Sequence, residues 1–73
     1  MKMTDAALAG RAVLVDRFDG YAGYRIAEID PDGAYVRLEH AGGYTDSLID
    51  AQGGWVPRDW AQDRAQEAMA LSI

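Results

Sequence analysis

Hydrophobic residues occur along the chain in short runs separated by turn-forming residues, a pattern that predicts a mainly β protein. The run at residues 11–16, RAVLVD, is rich in β-branched side chains and predicts a buried strand. Ahead of it, Thr4 can cap a short helical turn over residues 5–9, with Gly10 as its end. Residues 16–23, DRFDGYAG, carry two glycines around a tyrosine and predict a long, bent loop.

The clearest local signal is the pair of runs on either side of residues 30–33, Asp-Pro-Asp-Gly, which predicts a β-hairpin. A three-residue loop with a bulge at its glycine sets Ile26 opposite Leu38 on one face of the hairpin. On the other face it sets Arg25 opposite Glu39. Both pairings are favourable, since one is apolar and the other is ionic.

The same register places Glu28 opposite Val36 on the core face of the hairpin. A carboxylate is unfavourable in that position. We therefore expect one of two arrangements: either Glu28 lies at the mouth of a barrel, or the strand bends near Ala27 so that Ile29 turns inward.

The second half of the chain predicts two more strands and a helix. After a turn at residues 41–43, the segment YTDSLID at residues 44–50 is typical of a strand, and Trp55–Pro57 predicts a short strand that ends at its proline. The tail at residues 58–73 predicts a helix with Asp59 as its N-cap. One face of this helix is mostly alanine and consists of Ala61, Ala65, Ala68, Met69 and Ser72. That face can pack against the same chain or against a second copy, which leaves a homo-oligomer open.

The 73 residues predict a single domain, with a short helical lead-in at residues 1–10, a barrel at 11–57 and the C-terminal helix at 58–73. Hydrophobic residues make up 49% of the chain, enough for one small core but not for a core and a deep cavity. The large apolar residues are Leu8, Val13, Leu14, Val15, Phe18, Ile26, Ile29, Val36, Leu38, Leu48, Ile49, Trp55, Val56, Trp60, Met69 and Leu71.

The segment GWVPRDWA at residues 54–61 resembles the closing segment of SH3 domains. That family has a glycine, an aromatic, a β-branched residue, a proline, two small or polar residues, an aromatic and a small apolar residue. Residues 12–16 are similar to its opening strand, and residues 16–23 occupy the place of its long first loop. Bacterial and phage relatives and the KOW and Tudor barrels close in a comparable way. The resemblance covers residues 11–61 and implies an SH3-like barrel of about five short antiparallel strands with a C-terminal α-helix.

In SH3 domains a proline-rich ligand lies over a strip of aromatic side chains, and Pro57 and Trp60 match two positions of that strip. Val15, Arg17 and Ala34 stand where the family has its other aromatics, so recognition of proline-rich peptides is not expected. The small plasmid-encoded dihydrofolate reductases, also SH3-like, build one active site from four barrels. Their Val-Gln-Ile-Tyr motif does not occur here, and a small oligomeric reductase-like enzyme is kept only as an alternative.

The net charge is −5, from 12 acidic and 7 basic residues scattered along the chain. This favours solubility over nonspecific binding to nucleic acid, which draws on clustered cations. The absence of cysteine is typical of a reducing compartment. Neither a signal peptide nor a stretch of ~20 apolar residues is present, so we expect a cytoplasmic protein without a membrane partner.

Candidate catalytic and metal-binding residues are few. His40 is the only histidine, which gives a transition metal little to bind. Asp30 and Asp32 supply fewer oxygens than calcium requires and fit the turn between them. Ser47 lies in an ordinary strand pattern and not in a nucleophile turn. The sequence therefore predicts no metal, no cofactor and no enzyme activity.

The chain has seven aromatic residues, and most are expected in the core, with Trp55 or Trp60 filling one end of the barrel. Tyr21, between two glycines, is harder to explain by packing. Tyr and Trp are enriched where proteins contact one another. The predicted protein-binding residues are Asp16, Phe18, Asp19, Tyr21, Tyr24, Tyr35, Trp55, Pro57 and Trp60. An alternative nucleic-acid surface consists of Arg25, Arg37 and Tyr35 on the outer face of the hairpin.

These observations predict a noncatalytic protein-binding module that acts as a stand-alone adaptor or inhibitor. By analogy with other small proteins of this kind, we hypothesise that a phage or mobile element encodes it and that it blocks a host complex. A nucleic-acid-binding barrel and a small oligomeric enzyme are the alternatives.

Overall fold

Four strands and three helices make up the structure, a computed structural model that describes residues 2–71. In chain order they are α1 (Asp5–Leu8), β1 (Ala12–Arg17), β2 (Gly20–Ile29), β3 (Tyr35–Gly43), α2 (Ser47–Ala51), β4 (Trp55–Pro57) and α3 (Arg58–Leu71). The predicted end of the last helix, Ser72 and Ile73, lies outside the described residues, as does Met1. No helix within residues 2–71 has the length and apolar character needed to cross a membrane.

The four strands form one antiparallel sheet in the order β1-β2-β3-β4, curled into a half-barrel with β1 and β4 at its edges. The prediction of a mainly β fold with a C-terminal helix is confirmed. The predicted count of five strands is wrong, because the segment YTDSLID forms α2. The half-barrel remains compatible with a small β-barrel, although its two edge strands are not paired with each other.

Helix α2 forms because its first turn is capped. The carboxylate of Asp46 accepts hydrogen bonds from the N–H groups of Leu48 (2.9 Å) and Ile49 (3.3 Å). The chain then turns at Gly53, whose N–H donates to the carbonyl of Asp50 at 3.0 Å. Ile49 is buried in the core while its neighbour Leu48 faces outward.

The connection between β1 and β2 is a tight turn, so the predicted long loop at residues 16–23 is wrong. Asp16 pairs with Tyr21, and Arg17 pairs with Gly20, which leaves only Phe18 and Asp19 at the tip. Glycine weakens a strand because it adds no side chain to the packing. Here the ring of Tyr44 covers Gly20 and the ring of Tyr21 lies against Gly23, and the strand persists.

The predicted β2–β3 hairpin is confirmed. The Gly33 N–H donates to the Asp30 carbonyl at 2.7 Å, which closes the turn. Ile26 pairs with Leu38, as predicted.

A bulge at Ala27 resolves the two arrangements considered for Glu28. The register shifts between Ile26 and Glu28, so that Glu28 pairs with Arg37 on the outer face. Ile29 then pairs with Val36 on the core face. The strand therefore bends near Ala27, and the acid is turned out of the core.

The core lies between the concave face of the sheet and the helices, and Tyr24 is its largest fully buried side chain. Trp55 is half-buried and Trp60 is exposed, so neither belongs to the buried core. The other buried hydrophobic residues are Leu8, Val13, Ala22, Ile26, Val36, Leu38, Ile49, Val56, Ala61 and Ala65. Five members of the predicted apolar set are exposed instead: Phe18, Leu48, Trp60, Met69 and Leu71.

Helix α3 packs mainly against β1 of its own chain. Ala61 and Ala65 are fully buried there, so this part of the alanine face docks within the monomer. The helix begins at Arg58, directly after Pro57, and the predicted N-cap Asp59 already lies inside it. At the other terminus of the chain, Thr4 caps α1 as predicted, accepting a hydrogen bond from the Ala7 N–H at 3.2 Å.

Arg58 joins the N-terminal segment to the start of α3. The residue is only 5% exposed, and its Nη1 lies 2.6 Å from a carboxylate oxygen of Asp5. Its Nη2 donates to the Met3 carbonyl at 3.0 Å, and its backbone N–H donates to the Ala34 carbonyl at 3.0 Å. Through its side chain and its backbone N–H, Arg58 thus connects three parts of the chain that are distant in sequence.

We expect Arg58→Ala to lower the free energy of unfolding by about 3 kcal/mol, because it removes a buried, hydrogen-bonded cation and leaves space behind. Asp5→Asn should cost about 1 kcal/mol, since the Asp5 side chain is 71% exposed and water screens its charge. Urea unfolding followed by circular dichroism measures both values. Equal, small losses for the two variants would contradict this account of Arg58.

Tyr24 joins α2 to the sheet through its hydroxyl group. The hydroxyl accepts a hydrogen bond from the Asp46 N–H at 2.7 Å and donates one to Asp50 Oδ1 at 3.3 Å. Burial raises the pKa of the Tyr24 hydroxyl, and the Asp50 carboxylate adds to the rise, whereas the hydrogen bond from Asp46 acts in the opposite direction. The folded protein therefore holds this tyrosine in its neutral form.

Tyr24→Phe should lower the free energy of unfolding by about 1 kcal/mol at neutral pH, since the Asp46 N–H loses its acceptor. A raised folded pKa means that the stabilisation is complete below the unfolded value of about 10 and is lost as the pH rises beyond it. Urea unfolding at pH 7 and pH 10.5 should therefore show a steeper alkaline loss for the wild type than for the variant. Identical pH dependence in the two proteins would be the contrary result.

Candidate functional site

The structure distributes the predicted protein-binding residues over four places. Five of them lie on the convex, outer face of the sheet: Asp16, Tyr21, Tyr35, Trp55 and Pro57. Phe18 and Asp19 form the tip of the β1–β2 turn, and Trp60 lies in the first turn of α3. Tyr24 is 2% exposed and lies in the core, so it is not accessible to a partner in this fold.

Tyr21 lies on the outer face with its ring against glycines of β2 and β3. A Cβ atom built on Gly43 would come within 3.1 Å of the Tyr21 ring, and one built on Gly23 would come within 3.3 Å. The ring of Tyr44 covers Gly20 in the same way. The position of Tyr21 between two glycines thus has a packing explanation, although half of the side chain stays exposed.

The outer-face arginines are surrounded by carboxylates. Arg37 Nε lies 3.1 Å from Glu28 Oε1, and Arg37 Nη1 lies 3.2 Å from Glu39 Oε1. The hydrogen bonds to Glu28 and then to Glu39 raise the pKa of Arg37 above its ordinary value. Arg25 pairs across the strands with Glu39. A phosphate group approaching this face would have to compete with both acids.

An apolar groove of about 280 Å³ lies between α2 and α3, and we call it the α2–α3 groove. The most exposed large hydrophobic side chain in its lining is Leu48, which is 73% accessible, and Trp60 is 36% accessible. Pro57 lies between them on the β4 side. The full lining consists of Asp46, Leu48, Ile49, Gln52, Val56, Pro57 and Trp60.

Local sequence determines how these side chains reach the groove. The cap at Asp46 starts α2 so that Ile49 turns into the core and Leu48 turns away from it. Pro57 ends β4, and α3 begins at the next residue, which places Trp60 in the first turn of the helix. The groove is therefore bordered on both sides by regular, hydrogen-bonded elements.

The apolar surface continues from the groove around β4 to the outer face of the sheet. Pro57 lines the groove and also pairs with Tyr35 across the strands. Tyr35 and Trp55, together with Asp30, line a second hollow of about 330 Å³. Four of the predicted protein-binding residues therefore lie on or beside β4: Tyr35, Trp55, Pro57 and Trp60.

Sequence reasoning missed the contribution of α2 to this site. Leu48 was expected in the core, because the segment around it alternates in the way a half-buried strand does. Asp46 followed by Ser47 at the first helical position, with two glycines after the segment, was the available signal for a short capped helix.

The described side chains include no group of three or more His, Asp or Glu residues placed to hold a metal ion. His40 Nε2 lies 3.1 Å from the Tyr44 carbonyl oxygen, and its ring packs edge-on against Tyr24 with centroids 5.5 Å apart. Ser47 is the first residue of α2 and is not part of a strained turn. The lining of the α2–α3 groove is mostly apolar and includes one acidic residue, Asp46.

No protein-family model matches the chain, and comparison with curated proteins and with solved structures likewise finds no match.

Tyr21→Ala should lower the free energy of unfolding by about 1 kcal/mol, because Gly23 and Gly43 lose the ring that covers them. Tyr21→Phe keeps the ring and should lose less than half of that amount. Urea unfolding of the two variants beside the wild type measures the difference. An alanine variant as stable as the phenylalanine variant would show that the ring contributes nothing to the fold.

Proposed function

We propose that the protein is a noncatalytic protein-binding module that holds its partner in the α2–α3 groove and along the adjoining β4 edge. The observation that carries this proposal is the exposure of Leu48 beside Trp60 and Pro57 in one groove. Burying a leucine fully is worth roughly 1.5–3 kcal/mol, and Leu48 is left mostly in water by its own chain. A partner that covers it gains that energy.

The shape and rigidity of the groove support the same proposal. Trp is among the residues most enriched at the energetic centres of protein interfaces, and it loses little side-chain entropy on binding. Trp60 is fixed by its place in the first turn of α3, and the ring of Pro57 restricts the backbone before it. A partner therefore meets a surface that is already formed.

The finer expectations from the sequence belong to this proposal. The protein would act in the cytoplasm as an adaptor or inhibitor by occupying a surface of a larger assembly. A phage or mobile-element origin, and kinship with SH3-like barrels through residues 54–61, are parts of the same hypothesis. The carboxylates around Arg37 favour a protein partner over nucleic acid.

Leu48→Ala should weaken binding of the partner at least about tenfold, since it removes the most exposed apolar side chain of the groove. Leu71→Ala is the matched control, because Leu71 is a leucine of similar exposure on α3 that does not line the groove. Immobilised wild-type protein would first retain the partner from a lysate of the natural host. The purified partner is then titrated against each variant by calorimetry.

Both leucine variants should keep the thermal midpoint of the wild type, which separates a binding effect from unfolding. Equal affinity of the Leu48→Ala and Leu71→Ala proteins would contradict the groove as the contact site. Retention of nucleic acid alone, released by salt, would favour the nucleic-acid alternative. A stable tetramer by light scattering would point to the oligomeric-enzyme alternative.

A further inference from the structure

We infer that the occupant of the α2–α3 groove is a cationic amphipathic helix of the partner protein. Its apolar face would enter the groove, and lysine or arginine side chains would lie beside the rim. This inference rests on the proposed function and adds the chemistry of the partner to it. The charges of the two helices that border the groove carry the argument.

Residues 46–63 span α2, β4 and the first half of α3, and they contain four acids: Asp46, Asp50, Asp59 and Asp63. The only basic residue among them is Arg58. Its guanidinium is buried and is bound to Asp5 and to the Met3 carbonyl, away from the groove lining. The elements that border the groove are therefore strongly negative, beyond the modest excess of acid in the whole chain.

One acid of α3 lies next to Trp60 on the helix surface, and a second lies one turn from that acid. Asp59 precedes Trp60 in the sequence, and Asp63 follows it by three residues, which places Asp63 next to Trp60 on the helix surface. Asp59 and Asp63 are themselves four residues apart, a spacing at which like charges destabilise a helix by a few tenths of a kcal/mol. Both carboxylates are exposed, and no ion pair or hydrogen bond engages either one within residues 2–71. A cation from a partner would relieve this repulsion.

The next basic residue on α3 does not neutralise the rim. Arg64 Nη2 lies 2.5 Å from Glu67 Oε2, one turn further from the groove. Asp46, which does line the groove, is also acidic and caps α2 with its carboxylate. The rim therefore attracts positive charge, while the floor of the groove accepts apolar side chains.

A helix is the partner element that fits such a groove. Amphipathic helices bind by laying apolar side chains at one-turn spacing into grooves between elements of the receptor. Leu48 of α2 and Trp60 of α3 both line the groove, so an apolar side chain that enters it can contact residues of both helices. Lysine or arginine on the flanks of that helix would then reach Asp59 and Asp63.

Two synthetic amphipathic helical peptides test the inference on the full chain. They share one leucine face and carry either lysine or glutamate at every polar position. Titration into ¹⁵N-labelled protein should show the lysine peptide shifting the Trp60 indole resonance and the α2 amides. Its affinity should exceed that of the glutamate peptide at least about tenfold at low salt, and the ratio should shrink as salt is added.

Paired charge variants show whether the attraction is local. Asp59→Asn with Asp63→Asn should weaken binding of the lysine peptide about fivefold. Asp32→Asn with Glu67→Gln changes the net charge by the same amount at residues that do not line the groove, and it should leave the affinity within twofold. Equal losses in the two double variants would overturn the inference, because the whole-molecule charge would then be responsible.

The outcomes for the inference and for the proposed function are distinguishable. Equal binding of both peptides at Trp60 would overturn the cationic partner while the groove remains a binding site. A second result would also overturn the cationic partner and keep the groove as a binding site. In that result, the lysine peptide does not shift the Trp60 resonance, but the Leu48→Ala protein no longer binds the natural partner. If Leu48→Ala retains the natural partner and the peptide at wild-type affinity, the proposed function itself fails.

Discussion

Close packing of α3 against β1 through two alanines holds the open sheet in its folded shape. A sheet of four strands with unpaired edges leaves one face of its core uncovered, and α3 supplies the missing side. Ala61 and Ala65 are both fully buried, and their small side chains let the helix approach the strand closely. The same smallness limits the apolar area that the helix buries. The first residue of the helix, Arg58, therefore adds an important attachment, because its side chain binds Asp5 and the Met3 carbonyl in the N-terminal segment.

The position of the groove follows from this arrangement. Because α3 begins directly after β4 and must run back over β1, its first turn stays beside the sheet edge. Gly54 fixes the other end of the short strand, where its carbonyl accepts the Leu38 N–H at 2.8 Å. A side chain at Gly54 would collide with the Leu38 backbone, and its φ of +89° also favours glycine. Within the stretch from Gly54 to Trp60, Val56 therefore packs in the core, while Pro57 and Trp60 line the α2–α3 groove.

Local rules predicted the parts of the fold that depend on neighbouring residues. The turn at residues 30–33 and the Thr4 cap need only a few adjacent side chains, and both were found from the sequence. The short helix α2 also has a local cap, but the hydroxyl of Tyr24, more than twenty residues away, helps to hold it. The local alternation of polar and apolar residues does not predict this contact between Tyr24 and α2.

The β1–β2 turn was missed for a similar reason. Two glycines close together indicate a loop when only their own conformational freedom is considered. The ring of Tyr44, more than twenty positions away in the sequence, packs over Gly20 and supplies the contact that the glycine's missing side chain cannot make. In the candidate site, Pro57 and Trp60 could be predicted because one short segment encodes their positions. Leu48 could not be predicted, since its exposure depends on α2 being a helix.

The residues of α2 that stabilise the fold differ from the one it exposes, Leu48. Ile49 contributes to the core, and Asp46 caps the helix while Tyr24 anchors it, so the stability of α2 does not require Leu48. Position 48 can therefore carry a large apolar side chain in water without being needed for the fold. An exposed leucine makes no favourable burial within its own chain, so its contribution to free energy arises only when another surface covers it. If the proposed function holds, a short helix secured by its neighbours is a suitable place for a contact residue, because a change at position 48 would alter affinity with little effect on the rest of the structure.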